Sequence, residues 1–152
     1  MRGVWVAAAL VYIALQPAMA AAKDAAQASP ASGSRTYLQN FKDMALSECL
    51  ATAYKQEPGV SKDIGSSTSA LRDWSYYDME RAPDVIHALV AKYLARDYRN
   101  PVVESEVGDV KFDFLKCIDL YHGKELDAAA KQLVLRPNST YRTEHSPKPQ
   151  QR

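Results

Sequence analysis

Residues 37–54 read YLQNFKDMALSECLATAY, and this stretch decides the fold class of the chain. Its apolar side chains recur at spacings of three and four residues, as on one face of an amphipathic helix. The members of this stripe are Leu38, Phe41, Ala45, Cys49 and Ala53. A hydroxyl group at Ser34 or Thr36 can cap the first turn. The stretch therefore predicts a core-facing helix with Cys49 in the middle of its buried stripe.

A second apolar stripe surrounds the other cysteine of the chain. Its members are Val110, Phe114, Cys117, Ile118 and Tyr121. Since both sulfurs are expected to point into one core, we predict a disulfide between Cys49 and Cys117. Closing a loop of about 68 residues stabilises a fold by roughly 4 kcal/mol in the chain-entropy model. The alternative is a cysteine nucleophile with His87 or His122 as its base, but helical phasing gives neither neighbouring pair a shared face.

Further helices complete the expected fold. Pro58 and Gly59 are expected to end the first helix, and Ser61 to cap a second one that reaches Trp74. Pro83 opens the best candidate for the central core helix, whose apolar arc contains Val85, Ile86, Leu89, Val90 and Tyr93. Residues 124–134 form a last short helix. We predict an all-α fold, a compact bundle of about five to six helices with one interhelical disulfide.

Residues 1–20 have the layout of a secretory signal peptide. A positive start at Arg2 precedes an apolar run of about thirteen residues, and small residues follow at Ala18 and Ala20. The run is shorter than the roughly 20 residues that a membrane-spanning helix needs. We therefore expect export, cleavage after Ala20 and no stable membrane insertion.

The remaining chain reads as one domain between two polar ends. We predict a flexible leader at 21–35, a single helical domain at 36–136 and a polar tail without order at 137–152. Removal of Arg2 lowers the formal net charge from +1 to zero. A neutral chain gives no electrostatic reason to expect nucleic acid as a partner.

The motifs of common enzymes are missing from the sequence. It contains no glycine-rich phosphate loop, nucleophile elbow, paired-histidine metal spacing or Cys-x-x-Cys. The three histidines, His87, His122 and His145, are isolated and do not make a ligand set. Pairs such as Asp113 and Asp119 are more typical of a solvated helix face than of acid–base chemistry. We expect no catalytic residue, no metal and no cofactor.

Two features favour a protein partner instead. The stretch from Pro101 to Asp109 has no helical stripe, and so long a connection between helices is often functional. Trp74, Tyr76 and Tyr77 are too close in sequence to face one core together, and exposed aromatic side chains are common at interfaces. The alternative is that all three cover the core. The predicted contact residues are Val102, Glu104, Ser105, Glu106, Asp109, Trp74, Tyr76 and Tyr77.

As a whole, the sequence resembles the immunity proteins that protect bacteria against peptidoglycan amidases delivered by type VI secretion. The resemblance covers about residues 36–136 and rests on scattered helix residues and the two cysteines. The stretches that carry it, besides the signal peptide, are 37–41, 46–54, 65–67, Trp74 and 114–121.

This resemblance implies a periplasmic, all-helical protein, commonly a homodimer. Such a protein catalyses nothing and blocks the active-site groove of a peptidoglycan amidase effector. We expect the 101–109 segment to enter that groove and a helix face with the three aromatic residues to support the contact.

Two other functions remain open on the sequence alone. A small periplasmic stress chaperone that binds unfolded clients is also short, helical, exported and singly disulfide-bonded. It would expose apolar surface at acidic pH, whereas an immunity protein would bind one enzyme tightly. An envelope enzyme that uses Cys117 would require a free thiol.

Overall fold

The computed structural model describes residues 30–98 and 110–146. Within these ranges the chain forms six α-helices and one short 3-10 turn, and strand pairing is limited to two isolated bridges. The helices are α1 Tyr37–Ala53, α2 Pro58–Asp73, α3 Ala82–Leu94, α4 Asp113–Tyr121, α5 Lys124–Leu133 and α6 Tyr141–His145. The predicted all-α fold is confirmed. The signal peptide predicted at 1–20 lies outside the described residues, and none of the described helices is long and apolar enough to cross a membrane.

Helix α1 is the centre of the bundle, because α2, α3, α4 and α5 all pack against it. Its start is defined by a capping box in which the Thr36 hydroxyl accepts a hydrogen bond from the Gln39 amide, at 3.2 Å, and the Gln39 side chain accepts one from the Thr36 amide, at 3.0 Å. Its buried residues are Tyr37, Asn40, Phe41, Met44, Ala45 and Cys49. The expectation that α3 is the central helix is therefore wrong. Helix α3 contributes Ile86, Val90 and Tyr93 to the core and leaves Val85 and Leu89 half-buried.

Helix α2 begins at Pro58, where the sequence pattern predicts the end of the preceding helix. Proline is accommodated in a first turn because its missing N–H would have no helical partner there. Helix α1 has already ended at Ala53. Ser61 consequently lies inside α2 and does not cap it, and its hydroxyl donates a hydrogen bond to the Tyr54 carbonyl at 3.3 Å.

Cys49 and Cys117 form the predicted disulfide, which joins α1 to α4 with a Cα–Cα distance of 5.7 Å. Both residues are fully buried. Neither cysteine is free, so the reading of Cys117 as a nucleophile has no thiol to use.

The phase of α4 differs from the predicted stripe. Helix α4 begins only at Asp113, and its buried residues are Lys116, Cys117 and Leu120. Val110 and Phe114, which the pattern places in the core, are 40% and 56% exposed. The inward face of α4 thus contains Lys116 and not Phe114.

The structure also orders part of the predicted tail. The carbonyl oxygens of Pro137 and Ser139 accept hydrogen bonds from the backbone amides of Leu38, at 3.2 Å, and Tyr37, at 2.9 Å. The first amides of a helix have no acceptor within their own helix. The segment after Arg136 therefore accepts hydrogen bonds from the first amides of α1 and then forms α6. Residues 137–146 are thus ordered, in contrast to the predicted tail without order.

A buried amide orders the end of the predicted leader in the same way. The Asn40 side chain is fully buried, and its Nδ2 donates hydrogen bonds to the carbonyl oxygens of Ser32 and Trp74, both at 3.0 Å. The 3-10 turn Ala31–Ser34 and the end of α2 are thereby attached to α1. The ordered domain begins before residue 36.

Candidate partner-binding surface

Five of the predicted contact residues lie outside the described residues, between Tyr98 and Val110. They are Val102, Glu104, Ser105, Glu106 and Asp109. The described chain passes from α3 to Tyr98 and resumes at Val110, three residues before α4. Because α3 and α4 pack against each other, this segment connects two neighbouring helices of the bundle.

Apolar side chains are exposed where the described chain resumes. Val110, Phe114 and Leu115 have exposed fractions of 40%, 56% and 48%; we call these three residues the α4 patch. The three residues lie close together in the sequence, and contiguous exposed apolar surface marks interaction sites. Sequence reasoning missed the patch because the helical pattern placed Val110 and Phe114 in the core. The buried residues Lys116, Cys117 and Leu120 together define the phase of α4, and a lone lysine gives no sequence signal for burial.

The three neighbouring aromatic residues take different positions at the junction of α2 and α3. Tyr77 is half-buried and packs edge-on against Phe41, with ring centroids 5.6 Å apart. Trp74 is half-buried at the end of α2. Tyr76 is 48% exposed. As predicted from their spacing, they do not all face the core, and Tyr76 has the most surface available to a partner.

A cleft of about 450 Å³ lies beside Tyr76. It is lined by Tyr37, Asp73, Ser75, Tyr76, Arg136, Tyr141, Glu144 and His145. The Arg136 guanidinium lies 4.2 Å from the Tyr76 ring centroid and 2.8 Å from a carboxylate oxygen of Glu144. The charge of Arg136 is therefore already paired within the domain.

A long-range hydrogen bond in this cleft attaches α6 to α1. The Tyr37 hydroxyl donates to the Glu144 carboxylate at 2.8 Å. Burial, with the hydrogen bond to Glu144, raises the pKa of Tyr37 to about 12. The same hydrogen bond lowers the pKa of Glu144 from its ordinary value.

These shifts predict how the attachment of α6 depends on pH. Because the folded pKa of Glu144 is lowered, its contribution to stability is present above the unfolded pKa and is lost as the pH falls through the folded pKa. The contribution of Tyr37 is complete below about pH 10 and is lost as the pH rises through about 12. Tyr37→Phe should therefore reduce the fall in unfolding free energy as the pH drops below the ordinary pKa of a glutamate, about 4.3.

Urea unfolding at a series of pH values measures this change. Glu144→Gln is the matched variant, since it removes the titrating group from the same hydrogen bond. Its acid dependence should be reduced further than that of Tyr37→Phe, because it also removes the ion pair between Glu144 and Arg136. An acid dependence of Tyr37→Phe equal to that of the parent would contradict the assignment.

The side chains that were considered as candidates for catalysis make contacts with other residues of the fold. His87 is exposed and lies 3.2 Å from the Glu48 carboxylate. Asp113 accepts a hydrogen bond from Lys116 at 2.9 Å, and Asp119 accepts one from Tyr98 at 2.6 Å. Over residues 30–98 and 110–146, no three His, Cys, Asp or Glu side chains are arranged to hold a metal ion. The contacts of these side chains are of the kind that stabilises a fold.

Comparison with known proteins agrees with a binding role. The chain is similar to one from a study entitled "New Type VI-secreted toxins and self-resistance proteins in Serratia marcescens", with 28% identity, a TM-score of 0.68, and coverage of 78% of this chain and 94% of that one. It is also similar to a chain from the structure of the effector–immunity system Tae4/Tai4 of Salmonella typhimurium. There the identity is 26%, the TM-score 0.58, and the coverage 68% of this chain and 95% of that one. No curated protein matches the chain.

A family model decides the assignment. The model described as Tai4, type VI secretion system (T6SS), amidase immunity protein, matches residues 39–130. The match includes α2 to α4, most of α1 and α5, and both cysteines. It covers more than half of the chain and does not support the chaperone alternative. The chain therefore belongs to the Tai4 family of type VI secretion system amidase immunity proteins.

Proposed function

We propose that the mature chain, from residue 21, binds and inhibits one peptidoglycan amidase effector in the periplasm and catalyses no reaction itself. The family match over residues 39–130 carries this proposal. Periplasmic location is supported by the signal peptide predicted at 1–20 and by a buried disulfide, since disulfides form and persist in oxidising compartments.

We propose further that the 101–109 segment enters the active-site groove of the amidase. Its carboxylates, Glu104, Glu106 and Asp109, would face a protonated histidine or a basic rim of that groove, with Val102 and Ser105 beside them. The segment suits this role because it is the longest stretch without a helical pattern inside the predicted domain.

The position of the α4 patch agrees with a partner that receives the 101–109 segment. It directly follows the segment in the chain, and burial of exposed apolar side chains contributes to binding. An amidase that receives the segment would also cover Phe114 and Leu115. Tyr76 belongs to a second candidate contact at the junction of α2 and α3, together with Trp74 and Tyr77. We include contact of the amidase with these three aromatic residues in the proposal.

The first experiment is capture of a partner by purified residues 21–152 from periplasmic extracts of cells that make type VI amidases. A wall-hydrolysis assay on the captured protein follows. Stoichiometric capture of one amidase with loss of its activity is expected. Capture of many unrelated proteins, stronger at low pH, would instead indicate a chaperone.

The triple variant Glu104→Ala, Glu106→Ala and Asp109→Ala tests the role of the segment. Loss of charges that are desolvated in a complex should weaken amidase binding by roughly 100-fold. Binding kinetics and inhibition of wall hydrolysis measure the loss. The matched control removes three exposed carboxylates from α2 and α3 and the turn before α2, namely Glu57, Asp63 and Asp84. If the variant without the three carboxylates of the segment inhibits as well as the control variant and the parent, the charges of the segment do not carry the interaction.

We propose a homodimer because the resemblance of the sequence implies one. Light scattering on the mature protein, with and without the amidase, gives the subunit count. A monomer in both states would contradict it.

A further inference from the structure

The cleft beside Tyr76 is built on backbone contacts between segments that are distant in sequence. The Leu135 amide donates a hydrogen bond to the Tyr76 carbonyl at 3.0 Å, next to the isolated antiparallel bridge between Tyr77 and Val134. These contacts hold the chain after α5 against the chain after α2. A cleft supported by paired backbone keeps its shape before a partner arrives, so less ordering entropy opposes binding.

Helix α6 forms another part of the lining. The rings of Tyr141 and His145 are stacked, with their centroids 4.0 Å apart and their planes at 14°. A capping box between Thr140 and Thr143 defines the start of this helix. Together with Tyr76, the stacked rings supply flat apolar surface, which packs well along the stem of a long side chain or against a guanidinium group.

The charges in the cleft leave one carboxylate without a partner. Both carboxylate oxygens of Glu144 are engaged, one by the Tyr37 hydroxyl and the other by the Arg136 guanidinium, each at 2.8 Å. The exposed Asp73 carboxylate also lines the cleft, but it forms no hydrogen bond or ion pair within residues 30–98 and 110–146. The cleft therefore has one negative charge that a partner can pair.

The available acceptors decide which chemistry the cleft can bind. The Ser75 hydroxyl already donates to the Leu71 carbonyl, at 2.7 Å, so it offers its oxygen as an acceptor, as the Asp73 carboxylate does. An anion would have to compete with Glu144 for Arg136. A metal ion needs more ligands, and the described residues contain no group of three that could hold one. A cation with several N–H donors, such as a guanidinium group, matches these acceptors.

Most of the cleft lies outside the part of the chain that the family model matches. The model matches residues 39–130, and five of the eight lining residues fall outside this range, namely Tyr37, Arg136, Tyr141, Glu144 and His145. The cleft can therefore vary between members of the family without a change in the part that the model describes. Such a site suits discrimination between amidases.

We propose that this cleft receives an arginine side chain of the bound amidase, with Asp73 as its ion-pair partner. This inference rests on the proposed function, in which an amidase covers the junction of α2 and α3. The guanidinium of the amidase pairs with Asp73, while its flat face and its stem pack on the aromatic side chains of the cleft. The contact favours amidases that carry a basic residue at this position.

Asp73→Asn and Asp73→Arg test the ion pair, with the amidase that the parent protein captures as the probe. Calorimetric titration measures the affinity. Asp73→Asn should weaken binding by about 5- to 10-fold, and Asp73→Arg by about 50-fold or more, because two like charges repel each other. At about 1 M salt, where the Debye length falls to about 3 Å, the difference between the parent and Asp73→Asn should shrink.

Urea unfolding of the same variants separates binding from folding. Asp73 is the last residue of α2, where a negative charge opposes the helix dipole. Both variants should therefore be as stable as the parent or slightly more stable. The matched control is Asp63→Asn with Asp63→Arg, because Asp63 is also exposed on α2 and does not line the cleft. These control variants should keep the affinity of the parent.

Charge exchange identifies the residue of the amidase. Each arginine of the captured amidase is changed to glutamate and combined with Asp73→Arg. One of these pairs should bind at least about 10-fold more tightly than Asp73→Arg binds the unchanged amidase.

Three results would overturn the role of the cleft. They are parent affinity in Asp73→Asn, equal losses in the Asp63 variants, and no arginine whose exchange restores binding to Asp73→Arg. In each of these cases the parent protein still binds its amidase. Failure of the parent itself to capture an amidase would instead overturn the proposed function.

Discussion

Replacement of both bridging cysteines, Cys49→Ala with Cys117→Ala, is expected to lower the free energy of unfolding by about 4 kcal/mol. The bridge closes a loop with a sequence separation of 68 residues, and its removal returns that loop entropy to the unfolded chain. Small domains are commonly stable by only about 5–15 kcal/mol. Urea unfolding of the parent and the double variant measures the difference.

The parent in the presence of reductant is the companion measurement. Reductant should bring the unfolding midpoint of the parent close to that of the double variant and should leave the double variant unchanged. Alanine also removes two sulfurs that are fully buried, so the double variant should be somewhat less stable than the reduced parent. If the parent and the double variant unfolded at the same urea concentration, the bridge would contribute nothing to stability.

Phe41→Ala has the second large expected effect, a loss of about 3–5 kcal/mol in unfolding free energy. Phe41 lies on the central helix α1, is fully buried and packs edge-on against Tyr77. Truncation removes apolar contacts and leaves a cavity that a helix braced by four neighbours cannot easily close. Thermal and urea unfolding measure the loss.

Phe114→Ala is the matched control, because the same atoms are removed from a side chain that is 56% exposed. Its stability should stay within about 0.5 kcal/mol of the parent. Its amidase binding should weaken, since Phe114 belongs to the α4 patch. Equal losses of stability in the two variants would contradict the structural difference between the two phenylalanines. Unchanged binding in Phe114→Ala would remove the patch from the proposed interface.

The family assignment and the disulfide connect these expectations to function. The proposed location outside the cytoplasm is one in which a disulfide persists, and the disulfide can hold a binding surface in shape there. A covalent bond between α1 and α4 holds the helix that carries the α4 patch. Reduced protein should therefore bind amidase less well even where it remains folded.

Local sequence determined the helical class of this protein. The spacing of Phe41, Ala45 and Cys49 defines the inward face of α1, and Thr36 with Gln39 defines its start. These features depend only on residues within one or two turns, so periodicity and capping rules predict them. Two cysteines on predicted inward faces also sufficed to predict the bridge, because no other pairing exists within the chain.

Tertiary contacts determined two features that the local sequence pattern could not predict. The buried Lys116 donates a hydrogen bond to the Leu94 carbonyl of another helix, and Phe114 is exposed against the apparent stripe. The order of residues 137–146 depends on unsatisfied amides of α1 that lie about a hundred residues earlier. Neither partner is near in sequence. Periodicity reports which side chains prefer a core, whereas the hydrogen-bonding needs of helix ends are met by whichever segment the folded chain brings beside them.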